Sequence, residues 1–128
     1  MILGHGVDII RIGRVENLLE RFPRRFPRKV YTSDEIDYCQ NRASSPPESF
    51  AARLAAKEAV YKVLSPELEV LRWKEIEVKV KLKKDGGPEL QLSGNSAELS
   101  KKMGITAWHL SLSHERQYAL ASVIAEGG

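Results

Sequence analysis

Cys39 is the only cysteine in the 128 residues, so neither an intrachain disulfide nor a cysteine zinc cluster can form. No stretch approaches the roughly 20 consecutive apolar residues that a membrane helix needs, and the first residues carry no charged segment leading into an apolar run and cleavage site. The expectation is a cytoplasmic protein with no membrane partner. Glycine-containing signature motifs are missing too: there is no Walker loop, no GxGxxG nucleotide loop and no GxSxG nucleophile elbow. Gly4 and Gly6 precede a strand residue instead of opening a helix. Any phosphate must then be held by side chains, with Arg53, Lys57, Lys62 and His114 as candidates. Neither His5 nor His109 has a metal-ligand companion at useful spacing, which leaves a zinc hydrolase poorly supported.

What is present, 42% hydrophobic and 29% charged residues, fits one globular domain over residues 1–128. Such a chain buries roughly two-thirds of its unfolded surface, enough for one core but not for enclosing a large cosubstrate. Part of any such site would come from a neighbouring subunit. The net charge of +3 is modest, but Arg11, Arg14, Arg21, Arg24, Arg25, Arg28 and Lys29 fall within nineteen residues, interrupted only by Glu16 and Glu20. An acidic partner is implied. The stretch matches no nucleic-acid-binding module and offers no stacking platform, so nucleic acid is the weaker reading.

Residues 2–10 (ILGHGVDII) form an apolar strand. Ile12, Val15, Leu18, Leu19 and Phe22 then follow at helical spacing. Pro23 and Pro27 punctuate a basic connection, and Thr32, Ser33 or Asp34 can cap a short helix reaching about Arg42. Ser44 to Pro47 read as a loop. The strongest helical pattern covers 48–64 and stops before Pro66. Alternation over 75–83 predicts a half-exposed strand, Asp85 to Pro88 a turn, and Leu90 with Leu92 a return strand. A surface helix over 94–103 ends at Gly104, and strands over 105–113 and 117–125 are joined by a turn through His114, Glu115 and Arg116. The class is α+β.

Two acidic residues stand out. Asp8, between Val7 and Ile9, must reach solvent, cap the following helix or be compensated, since burying it unpaired would cost several kcal/mol. Glu58 and Lys62, four apart, share a helix face, as would any solvated pair worth a few tenths of a kcal/mol. Leu54, Ala55 and Ala59, however, make the neighbourhood of Glu58 apolar. A hard cation bound by one or two carboxylates plus phosphate oxygens would compensate it. His114 ends SLSH on the face of Trp108, Leu110 and Leu112, where a lone histidine is more often structural than catalytic. Cys39 reads as a small half-buried helix residue.

GVDI at 6–9, FAARLAAKEAVYK at 50–62 and SLSHE at 111–115 resemble the small bacterial holo-acyl-carrier-protein synthases, a type of phosphopantetheinyl transferase. SDEID, DGGPEL and YALASV extend the resemblance over nearly the whole chain. It implies a long central helix on a mainly antiparallel sheet and transfer of the 4'-phosphopantetheine arm of coenzyme A to a serine of apo-acyl carrier protein. It also implies Mg2+ on Asp8 and Glu58, Lys62 beside the same phosphates acting on the leaving group, and Arg53 and His114 on phosphates of coenzyme A. Glu35 would orient a metal-bound water or the serine. Arg14, Arg21, Arg24, Arg25 and Arg28 would meet the acidic helix of the carrier. The resemblance implies a homotrimer with sites between protomers.

One segment departs from the pattern. The family commonly follows its long helix with a glycine-rich turn, where this chain has Ser65 and Pro66. Proline has no N–H to offer a phosphate, which puts coenzyme A contacts from this loop in question. A homologue that binds carrier protein without catalysis is a further reading, opposed by the intact Asp8, Glu58 and Lys62.

Overall fold

The computed structural model describes residues 1–68, 70–80 and 87–128. The elements are β1 (Ile2–Arg11), α1 (Ile12–Arg21), α2 (Arg25–Val30), α3 (Ser33–Asn41), α4 (Pro46–Leu64), a 3-10 turn (Trp73–Glu75), β2 (Ile76–Val80), β3 (Pro88–Leu92), α5 (Gly94–Lys102), β4 (Ile105–Glu115) and β5 (Tyr118–Gly127). Three strands form an antiparallel sheet in the order β1-β5-β4, and β2 pairs with β3 in a separate antiparallel ribbon. The α+β expectation holds.

Helix α4 is the centre of the molecule. Twelve of its nineteen residues are buried, Arg53 and Lys57 among them, and a helix buried on most of its faces belongs in a core. Its alanines Ala51, Ala55, Ala56 and Ala59 share one buried core with the inward row Ala119, Ala121, Val123 and Ala125 of β5. Small residues on both surfaces let the helix lie close to the sheet. The two glycines of β1 serve this approach: a methyl on Gly6 would stand 2.1 Å from the Ala59 carbonyl oxygen, and one on Gly4 would stand 2.7 Å from Val63. Their purpose is helix-to-strand contact, not phosphate binding.

The opposite face of the sheet is uncovered. On β1, Val7 and Ile9 are 41% and 59% exposed while the inward Gly6 and Ile10 are buried. Leu120 and Ile124 of β5 sit beside this strip in register, Ile9 against Leu120 and His5 against Ile124.

Several boundaries differ from the sequence expectation. The basic connection contains α2, with Pro27 in its first turn, where a missing N–H breaks no helical bond. Pro46 and Pro47 open α4 instead of ending a loop, because their fixed φ suits the first helical positions. Strand β4 runs on to Glu115 and β5 begins at Tyr118, so His114 is a strand residue and the turn is Arg116–Gln117. Strand β2 is described to Val80; the predicted strand positions 81–83 and the turn residues Asp85 and Gly86 lie outside the described residues. Cys39 is fully buried.

A buried ion pair ties the halves together. Glu35, on α3, is 1% exposed, and Lys57, on α4, is 0% exposed. Glu35 Oε1 accepts from Lys57 Nζ at 2.8 Å and from Thr32 N at 2.9 Å, and its Oε2 accepts from Val78 N at 2.9 Å. Lys57 also donates to the carbonyls of Trp73 and Ile76. Burial pulls the lysine's proton affinity down, and Glu35 restores part of it. Thr32 and Glu35 complete a capping box at the start of α3. Every oxygen of Glu35 is therefore committed inside the core. The expectation that it orients a water or a substrate serine is corrected, as is Lys57 as a phosphate ligand.

Candidate functional site

Strand alternation turns Asp8 inward, opposite Ala121, at the edge strand of the sheet. Its side chain is 11% exposed. Lys62 reaches it from α4, donating to Asp8 Oδ1 at 3.1 Å and to the Val7 carbonyl at 2.7 Å. Asp8 Oδ2 is buried without a hydrogen-bond partner. Glu58 lies one turn before Lys62 and holds its proton up to about 7, because of burial first and the hydrogen bond and charge of Asp8 next; Arg14 and Lys62 oppose the rise.

Two carboxylates crowded together, one with an orphaned buried oxygen, are short of positive charge. Hard oxygen donors of this kind suit a magnesium-like cation. Among the described residues no group of three or more His, Cys, Asp and Glu converges, so the pair would fill only part of a six-oxygen shell. Water and phosphate oxygens would complete it. The residues present fit such an ion.

Arg53 and His114 come together elsewhere. They line a cleft of about 220 Å³ with Tyr38, Ser45, Glu48 and Ser49. Arg53 is 5% exposed; its guanidinium stands 4.5 Å from the centre of the Tyr38 ring, and Nη1 donates to Ser49 Oγ at 2.8 Å. His114 Nδ1 is 3.6 Å from Glu48 Oε2. Sequence reading missed Tyr38 and Ser49. Ser49 had a signal, lying four residues before Arg53 on one helix face; Tyr38 had none.

The two clusters occupy opposite flanks of α4. At about 100° per residue, Arg53 and Glu58 point about 140° apart. Asp8 lies on β1 and His114 on β4, with β5 between them, a separation of about 10 Å across two strand spacings. Within one chain, Arg53 and His114 therefore do not join the cluster of Asp8, Glu58 and Lys62.

The basic stretch forms a third surface. Arg14, Arg21, Arg24, Arg25 and Arg28 are exposed on α1, α2 and the turn between them. Leu18, Phe22 and Phe26 line an apolar cleft of about 160 Å³ edged by Arg25 and Lys29. Arg14 is close enough to Glu58 to weaken its hold on a proton, which places it between this surface and the acidic pair.

Carboxylates short of a cation, beside a lysine and within reach of a basic surface, describe a protein that handles phosphate groups. The pattern of the 4'-phosphopantetheinyl transferase superfamily matches residues 4–123, and the chain belongs to that superfamily. It is 41% identical to the holo-[acyl-carrier-protein] synthase of Halothermothrix orenii, over all of both chains. Its fold is similar to that of the holo-[acyl-carrier-protein] synthase of Neisseria meningitidis, with a TM-score of 0.86 and 29% identity over 98% of this chain and 99% of that one. It is similar as well to the Helicobacter pylori enzyme solved in complex with coenzyme A, with a TM-score of 0.79 and 27% identity over 96% of this chain and all of that one.

Proposed function

We propose that this chain is a transferase that moves the 4'-phosphopantetheine arm of coenzyme A onto a serine of apo-acyl carrier protein. The observation that carries the reading is the Asp8, Glu58 and Lys62 cluster, with its orphaned carboxylate oxygen, standing beside a basic and apolar surface. The relatives named above support the substrates. The serine oxygen forms a bond to the phosphorus bearing the pantetheine arm as that phosphorus loses its bridging oxygen. Adenosine 3',5'-bisphosphate leaves with the electron pair, and the serine proton passes to solvent.

Asp8 and Glu58 would hold Mg2+, which when bound neutralises charge gathering on the pyrophosphate oxygens. Lys62 keeps Asp8 oriented and adds a second positive charge at the same place. Burial of Asp8 excludes water from one side of the site. Arg14, Arg21, Arg24, Arg25 and Arg28 would steer the carrier's acidic helix, while Leu18, Phe22 and Phe26 would accept its apolar side chains. That apolar floor favours an amphipathic protein helix over nucleic acid. Arg53 and His114 would bind phosphate of a coenzyme A whose pyrophosphate lies on a neighbouring chain's acidic pair. The uncovered sheet face with Val7 and Ile9 supports association with a neighbouring chain, which we take to be a homotrimer with sites between protomers.

Intact-mass spectrometry tests the activity. Purified protein, coenzyme A and Mg2+ should add one phosphopantetheine mass to an apo carrier. Absence of the shift across several carriers and metals would sink the reading. Sedimentation of the purified protein as a stable monomer would remove the shared-site part.

A further inference from the structure

Helices α3 and α4 meet through three polar couples in step. Glu35, Tyr38 and Cys39 are one face of α3, at spacings of three and four residues. Lys57, Arg53 and Ser49 are one face of α4, each four residues from the next. Glu35 holds Lys57 at 2.8 Å, the Tyr38 ring lies under Arg53 at 4.5 Å, and Cys39 Sγ is 3.2 Å from Ser49 Oγ. The first couple is sealed in the core and fully satisfied. The middle one is not: Arg53 Nε is buried with no acceptor. Among the described residues it shares that state only with Asp8 Oδ2, the oxygen assigned above to a cation.

An arginine side chain has many rotamers, and an anion that must freeze them binds less tightly than one that meets a guanidinium already set. Here two contacts do the setting. The Tyr38 ring defines the guanidinium plane by cation–π attraction, and Ser49, accepting at Oγ, fixes its rotation within that plane. Tyr38 itself cannot drift, because the capping box and the Glu35–Lys57 pair anchor α3 on the same side.

We infer that Tyr38, assisted by Ser49, is a positioning residue that pre-sets Arg53 for a phosphate of coenzyme A, and so governs cosubstrate affinity without touching the reacting atoms. The inference rests on the reading of Arg53 as a phosphate ligand. The test is titration calorimetry of adenosine 3',5'-bisphosphate into the wild-type protein, Arg53→Ala, Tyr38→Leu, Tyr38→Phe, Ser49→Ala and the Tyr38→Leu/Arg53→Ala double variant, with steady-state kinetics alongside. Tyr38→Leu should bind about tenfold more weakly, and Tyr38→Phe, which keeps the ring, should bind like wild type. Ser49→Ala should weaken binding severalfold by an independent route. KM for coenzyme A should rise with Tyr38→Leu, while KM for the carrier and kcat at saturating coenzyme A stay within about twofold.

In the Arg53→Ala background, Tyr38→Leu should have no further effect, because the ring acts only through the arginine. Tyr38→Leu or Ser49→Ala binding as tightly as wild type, with Arg53→Ala weakened, would overturn the positioning role. Undiminished binding by Arg53→Ala would instead overturn the underlying reading of Arg53. If Tyr38→Leu fails to fold, Ser49→Ala and the ring-keeping Tyr38→Phe decide: Ser49→Ala binding as tightly as wild type, or Tyr38→Phe binding more weakly, would overturn the proposal.

Discussion

Replacing Glu58 by glutamine should stabilise the metal-free protein at alkaline pH. The folded chain holds the Glu58 proton to about 7, against an ordinary value of 4.5, through burial and the neighbouring Asp8. A group that binds its proton more tightly when folded lends stability below its unfolded value, near pH 4.5, and that contribution disappears as pH rises towards 7. At 1.36 kcal/mol per pH unit the gap amounts to about 3 kcal/mol; solvent screening at a half-buried side chain brings it to about 1–2 kcal/mol. Urea unfolding of wild type and Glu58→Gln, at one protein concentration and without divalent metal, should give closely similar stabilities near pH 5. At pH 8.5 the variant should be about 1–2 kcal/mol more stable. Saturating Mg2+ should reverse the order by stabilising only the wild type. A variant equal to or less stable than wild type at pH 8.5 would refute the crowded-carboxylate account.

Three further outcomes follow from the same physics. Glu35→Ala leaves the Lys57 charge buried and unpaired, so unfolding experiments should show a loss of about 3–5 kcal/mol; a loss under 1 kcal/mol would mean that the pair is not sealed. Gly6→Ala forces a methyl against the Ala59 carbonyl, and a thermal melt should register about 3 kcal/mol of destabilisation, whereas an unchanged melting temperature would show that α4 can retreat. Reversing charge with Arg24→Glu and Arg28→Glu should raise KM for the carrier by tenfold or more at low salt and less at high salt, with KM for coenzyme A unchanged. Equal changes in both KM values would argue against a dedicated carrier surface.

Much of this protein is legible along the chain because its signals are local. Residues 48–64 read as a helix since apolar residues recur at its period, and Asp8 stood out because a carboxylate within an apolar strand must find compensation. The Glu58–Lys62 spacing likewise put both side chains on one face. What the chain order cannot express is which surfaces meet. Glu35 and Lys57 carry the same sequence marks as a site acid and a phosphate-binding base, yet packing of α3 on α4 and β2 closes them off from solvent. Gly4 and Gly6 looked like a failed nucleotide loop until α4 was seen lying on them. Arg53, Lys62 and His114 seemed one phosphate set, but helix rotation and an intervening strand divide them between two flanks. Periodicity is a property of neighbours within about a turn, so it determined the elements and the residues worth suspecting. Only the tertiary structure decided whether a charged side chain was spent inside the core or left short of a partner at the surface.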